Sequence, residues 1–203
     1  MQAKEHWKGE GGDQYIDRQD EAELLYVYEE MWGQIFQEMD EIPARVLELG
    51  ASVGINLDAL RLLQPNIECL AIEPNEKARK VLRQKGYEIR DPGIAELKYM
   101  DPVDLSFSRG VLIHIPPTEL AVAYETLYRA SRKYIVVAEY FNPTPVEIEY
   151  RGQKGLLWKR DFAGEMMERF PDLKLVEYGF IYDKDPIAPQ DNITWFLLEK
   201  VVP

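Results

Sequence analysis

A chain of 203 residues with 46% apolar and 11% aromatic content is long enough to bury one substantial core, so a single globular domain is expected. Its 36 acidic against 24 basic residues leave a net charge of −12, which repels polyanions, argues against general nucleic-acid binding and favours a small-molecule partner. The one cysteine, Cys69, excludes an intrachain disulfide, no apolar run reaches the ~18 residues of a membrane span, and the N-terminus lacks a signal peptide's apolar core, so a soluble cytoplasmic protein is expected.

Residues 1–19 are polar and carry Gly9, Gly11 and Gly12, but also Trp7 and Tyr15. They read either as a frayed end or as an arm that orders where those rings find a pocket. From Asp20 to Met39, the side chains Leu24, Leu25, Tyr28, Met31, Trp32, Ile35, Phe36 and Met39 follow helical spacing, which predicts an amphipathic helix. Residues 1–40 are thus expected as an arm and helix belonging to the same domain as residues 41–203. After Pro43, Arg45 to Leu49 predicts a buried strand ending in the turn Gly50-Ala51-Ser52-Val53-Gly54, and a helix carrying Ile55, Leu57, Leu60, Leu62 and Leu63 follows. Cys69 to Ile72 predicts a second strand, with Asn75 capping a helix from Glu76 to Lys85 that Gly86 ends. Tyr87 to Arg90 and Val103 to Phe107 predict the third and fourth strands, and a helix runs from Pro117 or Thr118 to about Ala130. The apolar run Tyr134 to Ala138 is the pattern of a strand covered on both faces. A proline-rich loop with Pro143 and Pro145, a helix near Asp161 to Arg169, and two strands, Leu173 to Tyr182 and Ile193 to Val201, complete the chain. This alternation predicts an α/β, doubly wound, Rossmann-like fold: a mostly parallel seven-stranded sheet with an antiparallel terminal strand and an N-terminal helical extension. Ligands of such sheets bind above the strand C-termini where the strand order reverses.

The turn after the first strand, Glu48-Leu49-Gly50-Ala51-Ser52-Val53-Gly54, has the composition for close backbone approach to a ligand. A dinucleotide fingerprint needs glycine at its third and sixth positions, where this chain has Ser52 and Ile55, and no Gly-Lys-Ser/Thr follows to cradle a triphosphate. What remains is acid-x-Gly-x-x-x-Gly, with a second acid, Glu73, one strand-helix-strand unit further on. This pair resembles the class I S-adenosylmethionine-dependent methyltransferases, in which the glycine turn passes beneath the cofactor and the second acid holds its ribose hydroxyls. The chemistry agrees, since a carboxylate accepts two hydrogen bonds from a vicinal diol and acidic groups suit a cofactor with a cationic ammonium and sulfonium.

Further segments are similar to the pseudaminic acid biosynthesis-associated methylases: Trp7, Tyr15-Ile16-Asp17-Arg18, Gly110-Val111-Leu112-Ile113-His114-Ile115, Glu139-Tyr140-Phe141-Asn142-Pro143, Tyr150-Arg151-Gly152, Lys159-Arg160-Asp161-Phe162-Ala163-Gly164 and Asp191-Asn192-Ile193-Thr194-Trp195. Two departures stand out: Ser52 where an asparagine is usual, and an acidic Glu147-Ile148-Glu149-Tyr150. The resemblance implies S-adenosylmethionine as donor, S-adenosylhomocysteine as product, and a cofactor set of Trp7, Tyr15, Arg18, Glu48, Gly50, Ser52, Gly54, Asn56, Glu73, Pro74, Asp91, Gly93, Ile94, Arg109 and Gly110. Arg18 would meet the cofactor carboxylate, making the arm a lid. Asp91 reads either as an adenine contact or as a turn residue before Pro92. Trp7, Tyr15 or Tyr140 would face the sulfonium by a cation–π contact.

For catalysis the candidates are His114, Glu139 and Tyr140. His114 is one of only two histidines and follows the fourth strand; Glu139 either hydrogen-bonds an acceptor, caps a helix or pairs with Arg151. For the acceptor the candidates are Asn142, Tyr150, Arg151, Lys159 and Arg160. Arg151 and Arg160 either grip an anionic group bidentately or are solvated bases balancing Glu147, Glu149 and Asp161. Methyl transfer to a hydroxyl or amine of a small anionic metabolite, such as a nonulosonic sugar or its activated form, is the leading expectation. Another natural-product or nucleotide-derived acceptor, or a catalytically silent regulatory module that binds the cofactor, are the alternatives. No His/Cys spacing suggests a metal.

Overall fold

The computed structural model describes residues 2–90 and 101–201. Two short helices, α1 (Gln2–Lys8) and α2 (Glu10–Ile16), precede the long helix α3 (Glu21–Gln37). There follow β1 (Arg45–Leu49), α4 (Ile55–Leu63), β2 (Glu68–Ile72), α5 (Glu76–Gln84), β3 (Glu88–Arg90) and β4 (Val103–Arg109). A 3-10 turn, Leu112–His114, leads to α6 (Leu120–Ala130) and β5 (Ser131–Glu139). The hairpin β6 (Val146–Tyr150) and β7 (Gln153–Lys159), α7 (Phe162–Arg169), β8 (Leu173–Ile181) and β9 (Ile193–Lys200) complete the order.

The strand period of two sorts apolar side chains between two cores. In β5, Tyr134, Val136 and Ala138 join one cluster, while Ile135 and Val137 join the other. Helices α3, α4 and α5 cover the first face through residues such as Trp32, Leu60 and Leu82; α6 and α7 cover the second through Leu127 and Met166. The seven strands lie in the order β3-β2-β1-β4-β5-β9-β8, with only β9 reversed against its neighbours. The mostly parallel sheet with an antiparallel terminal strand read from the sequence is therefore present, and its order reverses between β1 and β4.

Two segments depart from the sequence reading. Residues 2–16 are helical because tertiary contacts hold them: the Asn75 amide donates to Asp13 Oδ1 (2.9 Å), and Lys77 pairs with Asp17. The presumed loop after Pro145 contains β6 and β7, a separate two-stranded sheet. Its two-residue turn, Arg151-Gly152, has φ of 51° and 78°, a type I′ geometry that Asn-Gly ordinarily fills, and the arginine obscures that signal. Among the described residues, no helix is long and apolar enough to cross a membrane and no metal-binding cluster occurs.

Candidate active site

The ends of β1, β2 and β4 open onto a cavity of about 330 Å³, roofed by α1 and α2 and walled on one side by α6. Its floor is the glycine turn. Gly50 has φ of 77°, and a Cβ there would lie 2.5 Å from Val111 Cγ2, so only glycine fits. Ser52 also adopts a left-handed φ, 47°, a conformation in which asparagine is less strained than serine.

Glu48, at the end of β1, is 1% exposed. Its Oε1 accepts a hydrogen bond from Asn56 Nδ2 (2.8 Å), and Asn56 Oδ1 accepts in turn from Trp32 Nε1 (3.2 Å). Oε2 is buried with no hydrogen-bond partner among the described residues, an orphaned acceptor on a cavity-lining side chain. Burial is the main cause that raises its pKa from 4.5 to about 8, against the lowering effect of Asn56 and Arg109. Between these values the folded protein binds a proton that the unfolded chain has released. The stability this carboxyl contributes is therefore full below about pH 4.5 and lost as pH rises through about 8. We expect Glu48→Gln to flatten the decline in Tm across that window relative to the unmutated protein, read by thermal melts. Equal slopes for the two proteins would place the Glu48 proton elsewhere.

Glu73 directly follows β2 and is likewise buried. Its Oε2 accepts from Ser52 N (2.7 Å) and Oε1 from Asn75 N (2.7 Å), so the carboxylate clamps the glycine turn to the start of α5 while each oxygen keeps a further lone pair. Burial pushes its pKa up, partly offset by those two backbone donors. Arg109 lines the cavity with its guanidinium stacked 3.8 Å over the Tyr28 ring and bonded to Tyr28 OH and Gln190 Oε1 (both 2.7 Å). Pro74, Gly110, Trp7 and Tyr15 line the same cavity, and burial drives the Tyr15 hydroxyl up to about 12. Gly54 supports the turn from behind, where its φ of 85° and Leu82, 2.8 Å from any Cβ, exclude a side chain. Asp91, Gly93 and Ile94 lie outside the described residues.

His114 sits at the end of the 3-10 turn and lines the cavity. Its Nδ1 donates to the Leu156 carbonyl (2.6 Å), which fixes the tautomer and leaves Nε2 as an acceptor. Burial lowers its pKa to about 4, so the imidazole is neutral at physiological pH. The ring packs against Trp7 (centroids 4.3 Å) and Tyr150 (5.3 Å).

Several sequence candidates stand elsewhere. Glu139 does not line the cavity: Ser108 Oγ (2.7 Å) and the amides of Leu112 (2.9 Å), Val111 (3.0 Å) and Ile113 (3.4 Å) all donate to its carboxylate. It holds the turn that presents His114, which is the capping alternative. Tyr140 also lies off the cavity lining, with Lys159 Nζ 4.9 Å over its ring. Asn142 turns inward on its own loop, its amide donating to the Thr144 carbonyl. Arg151 and Arg160 are not brought together: they flank opposite ends of β7, a strand roughly 20 Å long at ~3.3 Å per residue. Arg160 is held instead by Glu165 (2.7 Å). Arg18 lies outside the first cavity and, with Tyr150 and Arg151, lines a second one of about 260 Å³.

Sequence reasoning named Asn75 only as a helix cap and missed its hold on the arm, and it missed Gln19 and Gln190. Asn75 caps α5 through Ala78 N (2.9 Å) while its amide holds the arm; Gln19 accepts from Ser52 Oγ (3.4 Å); Gln190 orients Arg109. Only the cap position of Asn75 carried a local signal.

No protein-family model matches the chain. Among curated proteins it is 29% identical, over 124 residues covering 61% of this chain and 88% of the other, to the regulator of ribonuclease activity B of Psychromonas ingrahamii. Among solved structures it is similar to the magnesium protoporphyrin IX methyltransferase ChlM of Synechocystis PCC 6803 with bound S-adenosylhomocysteine (TM-score 0.69, 12% identity, 98% of each chain). It is also similar to the Burkholderia thailandensis 1,6-didemethyltoxoflavin-N1-methyltransferase with bound 1,6-didemethyltoxoflavin and S-adenosylhomocysteine (TM-score 0.64, 14% identity, 97% of this chain and 84% of that one). The plantazolicin methyltransferase BpumL in complex with S-adenosylhomocysteine matches over 98% of this chain and 94% of its own (TM-score 0.63, 9% identity). With the strand order and the acid-bearing glycine turn in place, the chain has the Rossmann-like fold of these class I methyltransferases.

Proposed function

We propose that the protein is an S-adenosylmethionine-dependent methyltransferase acting on a small molecule. The observation that carries this reading is the pair of buried carboxylates, Glu48 with an orphaned Oε2 and Glu73 with spare lone pairs, at the ends of adjacent strands beneath one cavity. An ammonium donating to Glu48 Oε2 would satisfy the orphan, and a vicinal diol would use the acceptor capacity left on Glu73. The donor fits these groups, and when bound it supplies a methyl group that an acceptor oxygen or nitrogen takes as the carbon–sulfur bond breaks toward sulfur.

The chain's own residues do the rest. Glu139 fixes the 3-10 turn, Leu156 fixes the tautomer of His114, and Nε2 of His114 takes the proton that the acceptor releases. Trp7 and Tyr15 of the arm close over the cavity and exclude water. The acceptor class favoured is a small anionic metabolite, with acidic sugars as the first to test.

His114→Gln is expected to lower kcat about 100-fold while the donor still binds, measured by S-adenosylhomocysteine release and by calorimetry. Unchanged turnover would remove His114 from the proton path.

A second reading draws on the 29% identity to a protein named as a regulator of ribonuclease activity: a module that binds the donor and regulates a partner without turnover. It predicts donor affinity with no methyl transfer to any acceptor, so mass-resolved product analysis across acidic sugars and other small molecules separates the two.

A further inference from the structure

The second cavity, of about 260 Å³, lies between the arm and the β6–β7 hairpin and is lined by His6, Trp7, Gln14, Arg18, Tyr150 and Arg151, together with Gly11, Gln153 and Leu156. No carboxylate lines it, although the chain carries a net charge of −12. Several arginines elsewhere are neutralised by carboxylates, Arg45 by Glu68, Arg83 by Glu76, Arg129 by Glu125 and Arg160 by Glu165, and Arg109 is held by Tyr28 and Gln190. Arg18 and Arg151 instead have no hydrogen-bond or ion-pair partner among the described residues, and each lies only over a tyrosine ring, Tyr15 at 6.0 Å and Tyr150 at 5.8 Å. Two unpaired guanidiniums converging on one cleft make a recognition site for a planar or tetrahedral anion.

Local structure is spent on this arrangement. Arg151 takes a left-handed φ of 51° at the first turn position, where asparagine or glycine is less strained. Gly11 sits inside helix α2, where any Cβ would lie 2.2 Å from the His6 ring, so the glycine lets that imidazole lie against the helix and face the cleft. Trp7 lines both cavities and packs tilted against His114, with centroids 4.3 Å apart, so the ring stands between the first cavity and the cleft at the candidate base.

The geometry points to this cleft as the subsite for an anionic group, carboxylate or phosphoryl, of the acceptor. The assignment of the bound anion to the acceptor rests on the proposed methyl transfer; the anion site itself does not. It also gives Arg18 a different role from the donor-carboxylate contact that the family resemblance implies.

The test is titration of the isotopically labelled full chain with inorganic phosphate and, separately, with acetate, read on the Trp7 indole N–H and the Nε–H signals of Arg18 and Arg151. These signals are expected to shift, more strongly for the anion whose chemistry matches the acceptor, while the Arg160 signal stays in place. Arg18→Gln and Arg151→Gln should each weaken phosphate binding about tenfold. Signals that ignore both anions, or shifts that survive in the double variant, would overturn the site. A parallel titration with S-adenosylhomocysteine separates the two claims: failure there with anion shifts retained removes the methyltransferase reading and leaves the anion cleft standing. Loss of S-adenosylhomocysteine affinity in Arg18→Gln would return Arg18 to the donor and overturn its place in the cleft.

Discussion

Glu73→Ala is expected to weaken S-adenosylmethionine binding about 100-fold, the equivalent of roughly 3 kcal/mol, by deleting the carboxylate that would take two hydrogen bonds from the donor's ribose. The substitution also frees the amides of Ser52 and Asn75, each now 2.7 Å from a Glu73 oxygen, so the glycine turn loses its tie to α5 at the same time. Glu73→Gln separates these effects, because it keeps a carbonyl acceptor at similar volume while losing the charge. We expect the glutamine variant to be intermediate between the alanine variant and the unmutated protein in both affinity and Tm, because its single carbonyl accepts from only one of the Ser52 and Asn75 amides. Calorimetry and thermal melts on the three proteins read both quantities, and an alanine variant that binds the donor normally would remove Glu73 from the site.

The second large effect is expected from deletion of residues 1–19. The arm gives the first cavity Lys4, Trp7, Gly12, Tyr15, Ile16 and Gln19, and its truncation takes away the roof of that cavity. Its attachment to the body is partly polar, through Asn75 to Asp13, Lys77 to Asp17 and the 3.4 Å contact of Ser52 with Gln19, and partly apolar, through Trp7 against His114 and Ile16 against the core. Such exposed or half-buried pairs hold a segment in place without contributing much to global stability, on the order of 1 kcal/mol. The deletion should lower donor affinity about tenfold or more, while Tm falls by more than the polar pairs alone would cause, since the apolar contacts of Trp7 and Ile16 are lost as well. A large drop in Tm with affinity preserved would make the arm a structural part and not a roof.

How far the sequence could be read depended on whether a residue's environment is local. The buried runs of β1, β2 and β5 announced themselves because a strand covered on both faces needs continuous apolar residues, and Glu48 and Glu73 were visible because each ends such a run. The hairpin β6–β7 was harder. Val146, Ile148 and Tyr150 do alternate with glutamates, but the prolines before them and the arginine in a turn that favours asparagine outweighed that pattern. With the hairpin unrecognised, Arg151 and Arg160 looked like neighbours on a loop instead of the two ends of a strand. Glu139 illustrates a different gap: the donors that occupy its carboxylate come from Ser108 and from the turn at residues 111–113, contacts that only the packing of β4 against β5 creates. Helices α1 and α2 carry only a sparse apolar face, Ala3, Trp7 and Ile16, and the groups that order them, among them Asn75 and His114, lie far along the chain.

The central claim, that the cavity above β1 and β2 holds S-adenosylmethionine, is tested most directly by calorimetric titration of the full unmutated chain. Run in buffers of different ionisation enthalpy, with a nicotinamide dinucleotide as control, the titration reads affinity and proton exchange together. The account predicts micromolar binding of the methyl donor, none of the dinucleotide, and proton release below about pH 8 as the donor's ammonium draws Glu48 into its ionised form. No binding of the donor, or preference for the dinucleotide, would contradict it.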